Sequence, residues 1–224
     1  MTRLLPLLAI ALTLSSQDSV KLQRTFKVGE VDKYQAKLSL ATEIGDVDLH
    51  LKTSQTVKSV SETGEAELEG EILELKTMIN GAEMPPPANN FDKKTTFKVD
   101  RNGVPDANTA SGGFGFSFLN FAGMVGDKPL TVGQKSPIDI QDPKDPKRKV
   151  TGDVLLESLR DGEAKLVSHL EIQMPENART LKVDVTSFVE VANGKLKKAS
   201  GTASGVAAIG ADVKAIQFSI ERIK

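Results

Sequence analysis

Apolar and polar residues alternate along much of the chain. Tyr34, Ala36, Leu38 and Leu40 share one parity, as do Val47, Leu49 and Leu51, and later Leu181, Val183 and Val185. A period of two predicts half-buried strands of antiparallel sheet, with one face in the core and one in water. One segment is ambiguous on pattern alone. Leu68, Ile72, Leu75 and Ile79 fit a helical stripe in a stretch rich in Glu and Leu.

An internal repeat resolves that segment. "FKVGEVDKYQAKL" from Phe26 is matched by "LTVGQKSPIDI" from Leu130, with Gly29 and Gly133 spaced 104 residues apart. "TGEAELEGEILELKTMI" from Thr63 is matched by "DGEAKLVSHLEIQM" from Asp161, with Gly64 and Gly162 98 apart. "FKVDRNGVPDAN" from Phe97 is matched by "FVEVANGKLKKA" from Phe188, and "TASG" occurs at Thr109 and again at Thr202. Landmarks repeated in one order argue for duplicated lobes. The counterpart of the ambiguous segment carries Ala164, Leu166, Leu170, Ile172 and Met174 on strand parity, so both are predicted as strands. The phase slip at Ile72-Leu73 then predicts a β-bulge. Asn102-Gly103, Asn193-Gly194 and Asp161-Gly162 supply the backbone freedom that tight turns require.

The expected fold is all-β: two related antiparallel lobes, or one continuous curved sheet, with a short helix near 115–124. The expected organisation is a signal peptide over 1–19, a first lobe over 20–109, a Phe/Gly-rich connection over 110–126 and a second lobe over 127–224. The signal is read from Arg3, the apolar run "LLPLLAIALTL" and the polar exit "SSQDS", with cleavage between Thr13 and Ser19. That run is too short to span a bilayer, and no later run is long enough. The expected location is therefore periplasmic or extracellular, with no transmembrane span in the mature chain.

Composition narrows the chemistry. The 224 residues hold no cysteine, which removes disulfides, thiolate catalysis and a lipid anchor on a processed Cys. A net charge of -1 gives no basic excess for nucleic acid. No Gly-x-Ser-x-Gly elbow and no phosphate-binding Gly-Lys-Ser/Thr loop occurs. Asp46, Asp48 and His50 share a strand face and could offer a metal two carboxylates and an imidazole, yet same-face neighbours on one strand stand nearly 7 Å apart. They read better as an ordinary wet face. His169 alternates against Leu170 and reads as exposed. Glu65, Glu67, Glu69 and Glu71 form a charged outward face that guards a strand edge. "MPPPANN" at 84–90 reads as an extended connection, and "QDPKDPKRK" at 141–149 as a solvated hairpin tip.

The most unusual stretch is "ASGGFGFSFLNFAGMV", residues 110–125, with four of the nine phenylalanines of a chain that is 4% aromatic. Burying each Phe is worth about 1.5–3 kcal/mol, so these side chains will leave water. They can plug the core or the junction of the lobes, form a lid over an apolar cavity, or dock on a partner. Phe114, Phe116, Phe118, Phe121 and Met124 are the candidate ligand-binding residues.

The repeated "VG" strand start, "FKVDRNGVPD", the Phe/Leu-rich patch, "DKPLTVGQ" and "FVEVANGKLKKASG" together resemble a group of uncharacterised bacterial secreted β-rich proteins. The expected curved sheet with its greasy segment is also similar to periplasmic lipoprotein-carrier half-barrels. The second resemblance implies an apolar ligand. Neither implies a catalytic residue or a cofactor. The expected function is a non-enzymatic binding protein for an apolar small molecule such as a lipid. The alternatives are an interaction module that contacts another envelope protein and, less well supported, a hydrolase or metalloenzyme.

Overall fold

The alternating segments pair into one antiparallel sheet of 11 strands. The computed structural model describes residues 19–42, 45–85, 94–104, 122–123, 128–141, 149–174, 179–205, 207–208, 211–212 and 215–224. Its first part contains strands β1 (Ser19–Val20), β2 (Val31–Thr42), β3 (Gly45–Val60), β4 (Ala66–Ile79), β5 (Ala82–Met84) and β6 (Lys94–Val99). Then come β7 (Leu130–Thr131), β8 (Lys135–Gln141), β9 (Lys149–Arg160), β10 (Glu163–Met174), β11 (Arg179–Glu190) and β12 (Leu196–Ser204). The last are β13 (Ala207–Ala208), β14 (Ala211–Asp212) and β15 (Ile216–Ile223).

The sheet order is β5-β4-β3-β2-β15-β12-β11-β10-β9-β8, with β6 sharing the outer side of β4 with β5. From β8 toward β6, the sheet follows chain order twice, first β8 to β15 and then β2 to β6. The two runs meet where β15 pairs with β2, Phe218 opposite Leu38 and Ile220 opposite Ala36. The strands thus form one continuous open sheet and not a closed barrel. Among the described residues no helix is long and apolar enough to cross a membrane. The helix expected near 115–124 lies outside the described residues except for Ala122 and Gly123, and Ala122 is buried.

Alternation decides which face is dry. Tyr34, Leu38 and Leu40 on β2, Leu68 on β4, Ile216, Phe218 and Ile220 on β15, and Leu181, Val183 and Val185 on β11 all point into one buried apolar cluster. Leu166 and Leu156 face each other across β10 and β9, both at 0% exposure. The other face carries the charges, paired across strands, such as Lys52 with Glu74 at 2.6 Å and Lys165 with Glu157 at 2.7 Å.

The ambiguous segment is a strand. Lys52 pairs with Glu74 and Thr53 with Ile72, so Leu73 is skipped as the extra residue of a bulge and stands half exposed. The bulge lets apolar residues on both sides of the slip face the same core. The repeated glycines share a backbone conformation: Gly29 and Gly133 have φ of 82° and 79°, and Gly64 and Gly162 of 84° and 74°. Asp161-Gly162 is a two-residue hairpin with both φ positive. Asn80-Gly81 makes the same turn between β4 and β5. At Asn102-Gly103 and Asn193-Gly194 only the glycine is left-handed, and wider loops result.

Gly152 marks the tightest approach of two strands. Its φ is 146°, and a Cβ there would sit 1.9 Å from the carbonyl oxygen of His169 on β10. Gly152→Ala therefore adds both backbone strain and a collision with main chain. The expected result is a loss of about 2 kcal/mol or more of unfolding free energy, seen as a lower urea midpoint at unchanged slope.

Candidate functional site

Ahead of β2, residues 20–30 run across one end of the sheet. The amide of Arg24 donates to the carbonyl of Arg101 at 2.8 Å, that of Thr25 to Asn193 at 2.9 Å, and that of Gly29 to Val57 at 2.8 Å. Leu22 is 1% exposed, and β1 pairs with β7. This strap ties the first strands to the β11–β12 turn and lays Arg24 beside the inward face.

Here the inward face turns polar. Asp32 has the parity of Tyr34, Leu38 and Leu40 and is buried with them. Lys195, 7% exposed, donates to Glu30 at 2.5 Å and to Asp32 at 3.1 Å. Arg24 donates to Asp32 at 3.3 Å, and Arg222 lies 4.0 Å from it. Arg222 also pairs with Glu190, whose other oxygen accepts from Asn193 at 2.7 Å. Three cations and three carboxylates thus join the strap, the β11–β12 turn and the last strand. Burial makes such charges costly unless each finds a partner, and here each does.

Next to this network are buried polar atoms without partners among the described residues: both side-chain polar atoms of Gln55 and Nε of Arg24, with the Tyr34 hydroxyl beside the Arg24 guanidinium. They adjoin one another. Gln55 is directly opposite Asp32 across β3 and β2, Tyr34 is the next inward residue along β2, and Arg24 bonds Asp32. Burial pushes the Tyr34 hydroxyl above its usual pKa; Asp32 adds to that while Arg24 and Arg222 oppose it. It stays protonated and able to donate. Each orphaned buried polar group costs about 1–3 kcal/mol, so these atoms are poised to bond something the described residues do not supply. Most are donors, which suits an acceptor such as a carboxylate.

Burial pushes the Glu190 carboxyl up, but hydrogen bonds from Asn193 and Arg222, with the charges of Arg222 and Lys195, outweigh it and hold the group below its ordinary pKa. A depressed carboxyl contributes stability above its unfolded pKa and loses it as pH falls through the folded one. Glu190→Gln should therefore destabilise the protein near neutrality and progressively less as pH falls below about 4. Thermal midpoints of the two proteins across that range check it.

The residues singled out by sequence fare unequally. Phe114, Phe116, Phe118, Phe121 and Met124 lie outside the described residues, as do residues 1–18 of the expected signal peptide and most of the Pro-rich and Lys-rich loops. Gln141 and Lys149 are register partners, so the Lys-rich loop connects β8 to β9. Asp46, Asp48 and His50 do not converge: the backbone amide of Asp46 donates to Oδ1 of Asn80 at 3.1 Å, while the Asp48 carboxylate accepts from Ser39 at 2.5 Å. No cluster of His, Cys, Asp or Glu among the described residues could hold a metal ion. His169 is exposed and bonds Asp184 at 2.6 Å. Glu67, Glu69 and Glu71 face water, but not on a free edge, since β3 and β6 flank them and Lys58 and Lys94 pair with Glu69.

The polar end of the inward face was not singled out in the sequence, although a signal was there. Asp32, Gln55 and Arg222 each sit on the apolar parity of their strands.

No family model matches the chain, and no curated protein matches it. Among solved structures it is similar to "Structure of DynF from the Dynemicin Biosynthesis Pathway of Micromonospora chersina", at 9% identity over 92% of this chain and 86% of that one. The TM-score is 0.26, too low for that likeness to carry an argument.

Proposed function

We propose that the chain is a secreted, non-enzymatic binding protein for an apolar molecule with a polar end, such as a lipid-like carboxylate. The observation that carries the reading is the group of buried, unpartnered polar atoms of Gln55 and Arg24, beside the Tyr34 hydroxyl, at the end of an otherwise apolar sheet face. In this reading the apolar body of the ligand meets that face, and Phe114, Phe116, Phe118, Phe121 and Met124 are the candidate residues to add apolar contacts to it. Binding needs no nucleophile, metal or cofactor, and the buried charges at the site are already neutralised by one another.

The test is calorimetric titration of the mature protein with a twelve-carbon carboxylate. The expected result is saturable binding of one molecule per chain. Phe118→Ser with Phe121→Ser removes two side chains worth about 1.5–3 kcal/mol each, so affinity should fall about 100-fold or more in a protein that still unfolds cooperatively. Absence of saturable binding to the parent protein would count against the proposal.

A further inference from the structure

On the opposite, water-facing side, the sheet is hollowed into a groove of about 660 Å³ that crosses β4, β3, β2, β15, β12 and β11. That volume falls within the usual range for small-molecule sites.

Register arranges the lining in two adjacent rows. In one row Glu74, Lys52, Gln35, Glu221 and Lys198 follow each other strand by strand. Its charges are largely spent on each other: Lys52 pairs with Glu74 at 2.6 Å, and Gln35 donates to Glu221 at 3.1 Å. Lys198 lies 4.3 Å over the ring of Phe188 at the end of the row.

The second row is different. Lys76, His50, Lys37, Ser219 and Ser200 are successive register partners, and none is a carboxylate. Lys76 reaches Glu74 at 3.3 Å and Lys37 reaches Asp48 only at 3.9 Å, both in neighbouring rows. Between the two lysines, Nε2 of His50 is buried and has no hydrogen-bond partner among the described residues. A cross-strand step is about 4.8 Å, so one anionic group centred at His50 is within reach of both ammonium groups. Water-facing strands usually alternate the sign of their charges to satisfy each other. This row instead presents donors to an acceptor.

We propose that this groove binds the phosphate monoester of a small polar molecule, with its oxygens shared by Lys37, His50 and Lys76 and the rest of the molecule lying toward Ser219, Ser200 and Lys198. Three terminal oxygens match a row of donors spread over three strands better than the two of a carboxylate do. The site is separate from the inward face, on the other side of the same strands. It stands or falls independently of the apolar-ligand reading.

The test is calorimetric titration of the full mature chain with glycerol 3-phosphate, and with glycerol, at low ionic strength, where exposed charges are least screened. The expected result is saturable binding of the ester and none of glycerol. Lys37→Ala, Lys76→Ala and His50→Asn should each weaken binding by about tenfold, as loss of a charge-assisted hydrogen bond does. Lys182→Ala, whose lysine pairs with Glu171 away from the groove, should leave it unchanged. Lack of binding at about 10 mM ester, equal binding of glycerol, or variants all binding like the parent would overturn the proposal. Sedimentation with phosphatidic-acid vesicles separates the two sources of the ester. Sedimentation displaced by glycerol 3-phosphate assigns a lipid headgroup, and calorimetric binding without sedimentation assigns a soluble ester.

Discussion

Lys195→Met should lower the unfolding free energy by about 3–5 kcal/mol, one of the two largest losses expected of a single side-chain change in this protein. The lysine is 7% exposed and holds Glu30 at 2.5 Å and Asp32 at 3.1 Å. Methionine keeps most of the volume, so packing is little disturbed and the effect isolates charge. Asp32, itself 8% exposed, loses its closest cation, and Glu30 loses its ion-pair partner. The thermal midpoint should fall by about 6–20 °C for a chain of this size. Lys182→Met is the control: its ion pair with Glu171 is more than half exposed on both sides and should be worth less than about 1 kcal/mol. A double-mutant cycle on Lys195 and Asp32 should show strong coupling, because the two share one buried network.

Leu22→Ala should cost about 2–5 kcal/mol. Leu22 is 1% exposed within a strap that has little regular structure of its own beyond β1. Its burial therefore contributes much of what holds residues 20–30 across the end of the sheet. The loss should be local before it is global. Trypsin should cut the variant faster at Arg24 and Lys27, since detachment of the strap exposes those bonds without unfolding the strands. Cutting at the parent's rate would mean that the strap is held by its hydrogen bonds to Arg101, Asn193 and Val57 and not by Leu22.

The strands were legible because one side of the sheet is dry and the other wet, which writes a period of two into the sequence. The bulge at Leu73 was legible only through the repeat, since Leu68, Ile72, Leu75 and Ile79 by themselves fit a helix. The pairing of β15 with β2 was not legible. It joins residues 31–42 to 216–223, and two alternating strands carry no mark of which partner each will choose. The strap was invisible for a different reason: its amides are satisfied by turns far off in sequence, so it needs no periodicity. Lys195, in "NGKLKKAS", looks like one of several turn lysines. Only the fold brings it against Glu30 and Asp32, 165 and 163 residues away. Asp32, Gln55 and Arg222 could have been noticed as polar residues on apolar parity, which is where a buried polar site announces itself along a strand. For His50 the sequence suggested a strand's wet face, and the structure adds that its Nε2 is buried in a groove there.

The central claim is that the inward face and its polar end hold a ligand. The most direct measurement is to purify the mature protein from the cells that make it, extract it with organic solvent and identify by mass spectrometry what was bound in stoichiometric amount. The account predicts one defined molecule with an apolar body and an acceptor-bearing end, depleted when Gln55→Leu is introduced into a still-folded protein. A protein that yields no stoichiometric molecule, and binds none when one is offered, would contradict it.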